Sequence, residues 1–349
     1  MLNSLSSNAV NAKARSIYGK RLTTADYREL MRQRTVSDVA SYLKTNTSYA
    51  KVLSGISETQ IHRGQLENLL HRAQLEKYLS LLHYDFSGSG GFYHYVVMNV
   101  EVSVILSTIM LLNSNSMQEI IVNVPSYMQE YVCINFMKLS KIKDYNDLLS
   151  VLSATPYKNI LKPFSAPNGE INLSECEHEL KCFYYRTILN SIDKYYKGKT
   201  RKDLRQIVLI EIEILNLSLI YRLKTFFHRS PAEIQKELLS FFYKLTPRSL
   251  QLLLEPLPDR KFIEYANLSS YSVYSAKIKG INFNYIEDYT KHLLYFISRK
   301  LIRFSTSAPV AFYSLMTLLQ IELENITTII EGIRYKNPAS EIEKLLILE

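Results

Sequence analysis

Apolar residues recur at three- and four-residue intervals through Leu66–Leu82, Leu180–Ile192, Ile207–Leu223, Ile234–Leu245 and Ile286–Leu301, and period-two alternation is scarce. A recurrence of this kind lines the apolar side chains along one face of a helix. Proline stands where a helix's first turn tolerates it, in Ser230-Pro231, Thr246-Pro247 and Ala308-Pro309. The pattern predicts an all-α protein. Two stretches break it: Ser87 to Gly91, glycine-rich and read as a flexible loop, and Lys162 to Ser174, stiffened by Pro163 and Pro167.

The helical pattern repeats within the chain. Asp38 to Leu43, followed by Thr47, Tyr49 and Leu53, matches Asp147 to Leu152, followed by Thr155, Tyr157 and Leu161, at an offset of 109 with one residue of gap. A fainter copy runs from Ser249 to Ile263 and aligns Pro258 with Pro156. A second landmark begins at Glu101, Glu213 and Glu322, offsets 112 and 109, each Glu heading an apolar stripe. Asn216 and Asn325 follow three positions after their Glu, where the first copy has Val104. Two unrelated landmarks with nearly one offset divide the chain into three helical modules, 1–119, 120–230 and 231–349.

Spacing sets Glu213, Asn216, Leu217, Ile220 and Tyr221 on a single helix face, with the polar pair at its amino-terminal end. The simpler reading places each Glu at the solvent edge of its stripe, the repetition recording only a duplicated helix. The other reading buries it in a bond between neighbouring helices, because a buried carboxylate without donors costs several kcal/mol. Catalysis by this set is not expected.

Composition narrows the class. The 349 residues are 47% hydrophobic and 21% charged, with 10 Gly and 10 Pro, which describes a folded chain with a large core. Cys133, Cys176 and Cys182 are too few for a disulfide framework, and no secretory signal is evident, so a cytoplasmic protein is expected. The longest apolar run, Val96 to Leu112, is interrupted by Asn99, Glu101, Ser103, Ser107 and Thr108, and is not expected to span a bilayer. Net charge is +9, and residues 186–229 hold ten Lys or Arg against four acids. That excess favours acidic partners without choosing among them.

Reactive constellations are missing from the sequence. It has no phosphate-binding Gly-rich loop with its lysine, no His-Glu-x-x-His and no Gly-x-Ser-x-Gly. Cys176, His178 and Cys182 have a poor spacing for zinc. No metal or cofactor is expected. Lys194, Lys197, Lys199, Arg201, Lys202 and Arg205, interleaved with Tyr195 and Tyr196, form a candidate basic interaction surface that could grip phosphates or stack on bases, or else a solvated helix end.

Residues 322–333 resemble the closing helix of the C subunit of the V-type (archaeal and bacterial) ATPases, whose eukaryotic homologue is the d subunit. Asn11 to Arg15, Asp38 to Leu53, Glu213 to Lys224, the length and the three-part repeat resemble that family too. The resemblance implies a pseudo-three-fold funnel of three similar helical modules. It implies a non-catalytic rotor subunit of the central stalk, peripheral on the cytoplasmic side of the membrane. Its partners would be the central shaft subunits and the membrane rotor ring, with anionic lipid headgroups as a further contact and no nucleic acid. It would serve proton or sodium transport while holding neither nucleotide nor ion. The alternatives are a cytoplasmic helical scaffold and a basic nucleic-acid-binding protein.

Overall fold

The computed structural model describes residues 2–55, 61–84, 90–114, 126–164, 171–255 and 286–348. Every regular element among them is helical, as the periodicity requires. Contacts group the chain into two compact units, residues 1–89 with 244–349 and residues 90–243.

The first unit is built on two long helices, α15 (Ile286–Phe304) and α16 (Ala308–Arg334). Earlier in the chain it contains α1 (Leu2–Gly19), three short helices α2 (Thr24–Met31), α3 (Val36–Asn46) and α4 (Ala50–Leu53), and α5 (Arg63–Leu82). Capping fixes the short helices. Thr23 with Asp26 and Thr35 with Asp38 each form a capping box, satisfying amides that the first turn leaves without partners. Asp38 of the repeated landmark is thus a helix-start signal. Leu30, Val39, Leu43, Leu53, Leu66 and Leu70 then pack on Ile326, Ile329 and Ile330 in the second half of α16. The Asn11–Arg15 stretch closes a helix far along the chain. Its Arg15 guanidinium donates to the Ile302 and Ser305 carbonyls at 3.1 and 2.8 Å, capping the end of α15 with a cation.

The α16 helix ends where Lys336 takes a left-handed conformation, φ 57°, and Asn337 N donates to Gly332 O at 2.8 Å. The chain turns there into α17 (Ala339–Leu345), which crosses so closely that a Cβ on Gly332 would lie 2.5 Å from Ile342 Cδ1. The first unit also holds α14 (Pro247–Leu254), opened by Thr246, which accepts from Ser249 N.

The second unit packs α7 (Tyr95–Asn113), α11 (Leu173–Tyr195) and α12 (Gly198–Thr225). Shorter elements join them: α6 (Gly90–Tyr93), α8 (Phe136–Leu139), α9 (Tyr145–Val151), α10 (Tyr157–Leu161) and α13 (Pro231–Glu237). Like α16, α12 gives way to a left-handed residue, His228 at φ 50°. Residues 91–113 are apolar and long enough to cross a bilayer, yet more than half of that stretch is buried within the unit, and Glu101 lies in its middle.

Two expectations need correction. The periodicity from Ile234 to Leu245 predicts a continuous helix, but α13 stops at Glu237 and Leu238 is extended. The physical cause is Asn216, whose side-chain amide takes both the N–H and the C=O of Leu239, the groups a continuing helix would use. The Ser87–Gly91 stretch is not all loop, because Gly90 and Gly91 open α6; residues 87–89 lie outside the described residues.

Candidate functional site

Glu101, Glu213 and Glu322 are 1%, 0% and 5% exposed, so the solvent-edge reading is wrong for all three. The reason is that donors surround them. Glu322 Oε2 accepts the Leu22 amide at 2.8 Å, and its Oε1 accepts the Tyr49 hydroxyl at 2.8 Å. Lys77 Nζ lies 3.7 Å from the same Oε1 and 4.4 Å from the centre of the Tyr49 ring. Glu101 repeats the arrangement: Oε1 accepts the Cys133 amide at 2.5 Å and Oε2 the Tyr157 hydroxyl at 2.6 Å. Glu213 Oε1 accepts the Tyr243 amide at 2.6 Å. The counterpart of Tyr49 and Tyr157 in the third copy lies outside the described residues.

The two repeated landmarks are therefore two halves of one bond. A tyrosine from the first donates to a glutamate from the second, in both copies where both residues are described. Burial, and then the adjacent carboxylate, pushes the Tyr49 and Tyr157 hydroxyls well above the ordinary phenol range. They stay protonated and remain donors. Partial burial, and then Glu101, holds the Cys133 thiol up at about 12, so it is not a ready nucleophile. With both carboxylate oxygens of Glu101 and Glu322 already accepting, these groups act as structural clamps.

The asparagines make a second clamp. Asn216 Nδ2 donates to Leu239 O at 2.9 Å, and Leu239 N donates back to Oδ1 at 3.0 Å. Asn325 does the same to Ile347, at 2.8 and 3.0 Å. In α7, where Val104 replaces the amide, Asn113 further along forms an equivalent clamp with Ile171, at 2.8 and 3.2 Å. The repeat pattern does not reveal Asn113 or Lys77, since neither occupies a repeated position. It does align Tyr49 with Tyr157, the signal from which the hydroxyl donors could have been read.

The basic run divides in two. Arg201 and Arg205 both bind Asp193, at 2.7 and 2.6 Å, tying the end of α11 to the start of α12. Lys194, Lys197, Lys199 and Lys202 are exposed. Tyr195 is half-exposed beneath Lys194, whereas Tyr196 packs edge-on against Phe92, so the two tyrosines do not form a stacking platform. His178 Nδ1 is 3.0 Å from Glu237 O and its Nε2 is 3.5 Å from Cys182 Sγ, so both ring nitrogens already have partners. Among the described residues no group of three or more metal-ligating side chains converges.

The model of the ATP synthase (C/AC39) subunit family matches residues 10–345. Similar curated proteins are each named as the C subunit of an A-type ATP synthase. That of Methanosarcina mazei is 26% identical over 44% of this chain and 39% of its own length. That of Methanosarcina acetivorans is 22% identical over 58% and 55%, and that of Archaeoglobus fulgidus 26% identical over 62% and 60%. The chain thus spans between about two-fifths and three-fifths of the length of these relatives.

Proposed function

Since the chain belongs to the ATP synthase (C/AC39) subunit family, we propose that it is a non-catalytic subunit of the central stalk. In this reading it joins the shaft that turns in the catalytic head to the membrane rotor ring, and lies peripherally on the cytoplasmic side. The three-module division, 1–119, 120–230 and 231–349, arranged about a pseudo-three-fold axis, belongs to the same proposal.

The observation that carries it is the repeated clamp. A body that hands on torque needs elements that do not slip past one another, and close-packed interiors transmit strain. In each repeat a long central helix carries a buried carboxylate that grips a backbone amide of another segment. Two of these helices add an asparagine grip a turn further along. Directional bonds at buried sites resist sliding where apolar contacts alone would re-register.

The nucleic-acid alternative loses support from the basic run, where two arginines are held by Asp193 and one tyrosine is packed away. The test is reconstitution. Membranes stripped of this subunit should lose ATP-driven ion pumping while the detached head keeps hydrolysing ATP, and adding the subunit back should restore pumping. Hydrolysis by the isolated head that depends on this chain would rule out a purely mechanical role.

A further inference from the structure

We propose that the two units fold in a fixed order, residues 90–243 first and residues 1–89 with 244–349 last, so that closure of the first unit is a checkpoint built into the fold. The folding order stands apart from the reading above; its consequence for assembly rests on that reading.

The order follows from how far along the chain each unit must reach to make its contacts. The second unit is one unbroken stretch, and its long helices are tied over short spans. Glu101 grips Cys133 from 32 residues away, Glu213 grips Tyr243 from 30 and Asn216 grips Leu239 from 23. Tyr157 reaches Glu101 across 56 residues, and Asn113 reaches Ile171 across 58. In the first unit the same kinds of bond join two segments that the second unit separates. Leu22 and Tyr49 reach Glu322 across 300 and 273 residues, and Arg15 reaches Ile302 across 287. The apolar core is divided in the same way, with Leu30, Val39 and Leu43 packed on Ile326, Ile329 and Ile330.

Glu213 and Glu322 make a controlled comparison. Both are buried, and both accept a backbone amide, at 2.6 and 2.8 Å. Their spans differ tenfold, 30 residues against 300. The chemistry is alike, so range sets the difference. For a flexible loop the chance of closure falls as the three-halves power of length, about thirtyfold here. Once the second unit has folded, the link between the two segments is a fixed body, and the later closure no longer has to order it.

Within the first unit α15, α16 and α17 are neighbours in sequence, and Asn325 grips Ile347 locally. The core around Ile326, Ile329 and Ile330 still stays incomplete until the amino-terminal helices arrive. A partner that reads the closed first unit therefore takes up only chains that have finished folding.

The test is pulse-labelling hydrogen exchange of the full chain during refolding from urea. The Cys133, Leu239 and Tyr243 amides should gain protection about tenfold or more sooner than the Leu22 amide. Tyr49→Phe should leave that early protection at its original rate. A second measurement needs no refolding. In the native chain under mild urea, the Leu22 amide should exchange through an opening that leaves the Cys133 and Tyr243 amides protected.

Simultaneous protection of both units, earlier protection of Leu22, slower early protection in Tyr49→Phe, or one shared opening of both units overturns the proposal. For the assembly step, refolding samples are added at intervals to membranes stripped of this subunit. Pumping should return only with samples in which the Leu22 amide is protected, and its return with earlier samples overturns the checkpoint. A chain that shows the labelling order but never restores pumping overturns the stalk reading alone, so the two fail separately.

Discussion

Tyr49 and Tyr157 show how much one hydroxyl can decide. Each is fully enclosed and each supplies a donor to a carboxylate that water cannot reach. Replacing either with Phe keeps the ring and removes only the O–H, so the loss isolates an unmet acceptor, about 1–3 kcal/mol. Urea unfolding of Tyr49→Phe and Tyr157→Phe should both show it; a loss below about 0.5 kcal/mol in both would mean the clamps do not hold their helices together. A second residue-scale prediction concerns Glu233, which closes the capping box of α13. Bonds from the Ser230 hydroxyl and amide, and then from Arg229, hold its carboxyl down at about 2, against 4.5 ordinarily. Its folded value lies below its unfolded one, so its contribution is present above about 4.5 and is lost as pH falls toward about 2. A carboxyl-resonance titration should place the midpoint near that low value, and Ser230→Ala should raise it.

At the scale of elements, the helix starts were written in local chemistry. Thr23, Thr35, Ser230 and Thr246 open the helices that follow them, and all three Pro-marked starts occur at helix starts. The stops were less legible, because Asn216 ends α13 from 23 residues away. The approach of α17 to α16 is equally non-local, since Gly332 looks like an ordinary glycine of a helix's last turn until Ile342 is found against it. Gly332→Ala should cost about 1–3 kcal/mol through overpacking. In combination with Ile342→Ala the loss should be smaller than the two single losses summed, because the second change removes the colliding atoms. Strict additivity in thermal melts would contradict this packing.

For the molecule as a whole, the Glu322 clamp closes on the far end of the chain: Leu22 and Tyr49 lie 300 and 273 residues before it. Glu101 and Glu213 instead hold residues that follow them by 32 and 30 positions. The amino-terminal helices therefore complete the same compact unit as α16, although they lie far from it in the chain. Deleting residues 1–55 should leave Glu322 without its Leu22 and Tyr49 donors and bare the apolar side of α16, with a loss on the order of 3–5 kcal/mol from the carboxylate alone. Far-UV dichroism and melting of that deletion variant should show the first unit lost; an unchanged melt would show that the segment is dispensable.

The amino-acid order by itself determined the all-α class, the main helices, the repeat and the family resemblance, because periodicity, caps and duplication act over a few residues or copy whole stretches. It placed Asp38 and Asp147 as a matching pair, and both fall in the first turn of a helix. Only the tertiary structure decided that the repeated glutamates are buried, which donors reach them and which end of the chain supplies them. Burial depends on what packs over a face, and a helix stripe with a carboxylate at its edge looks the same in sequence whether solvent or a tyrosine covers it. The division of the basic run has the same origin, since two arginines were withdrawn from it by Asp193 only once α11 and α12 had been brought side by side.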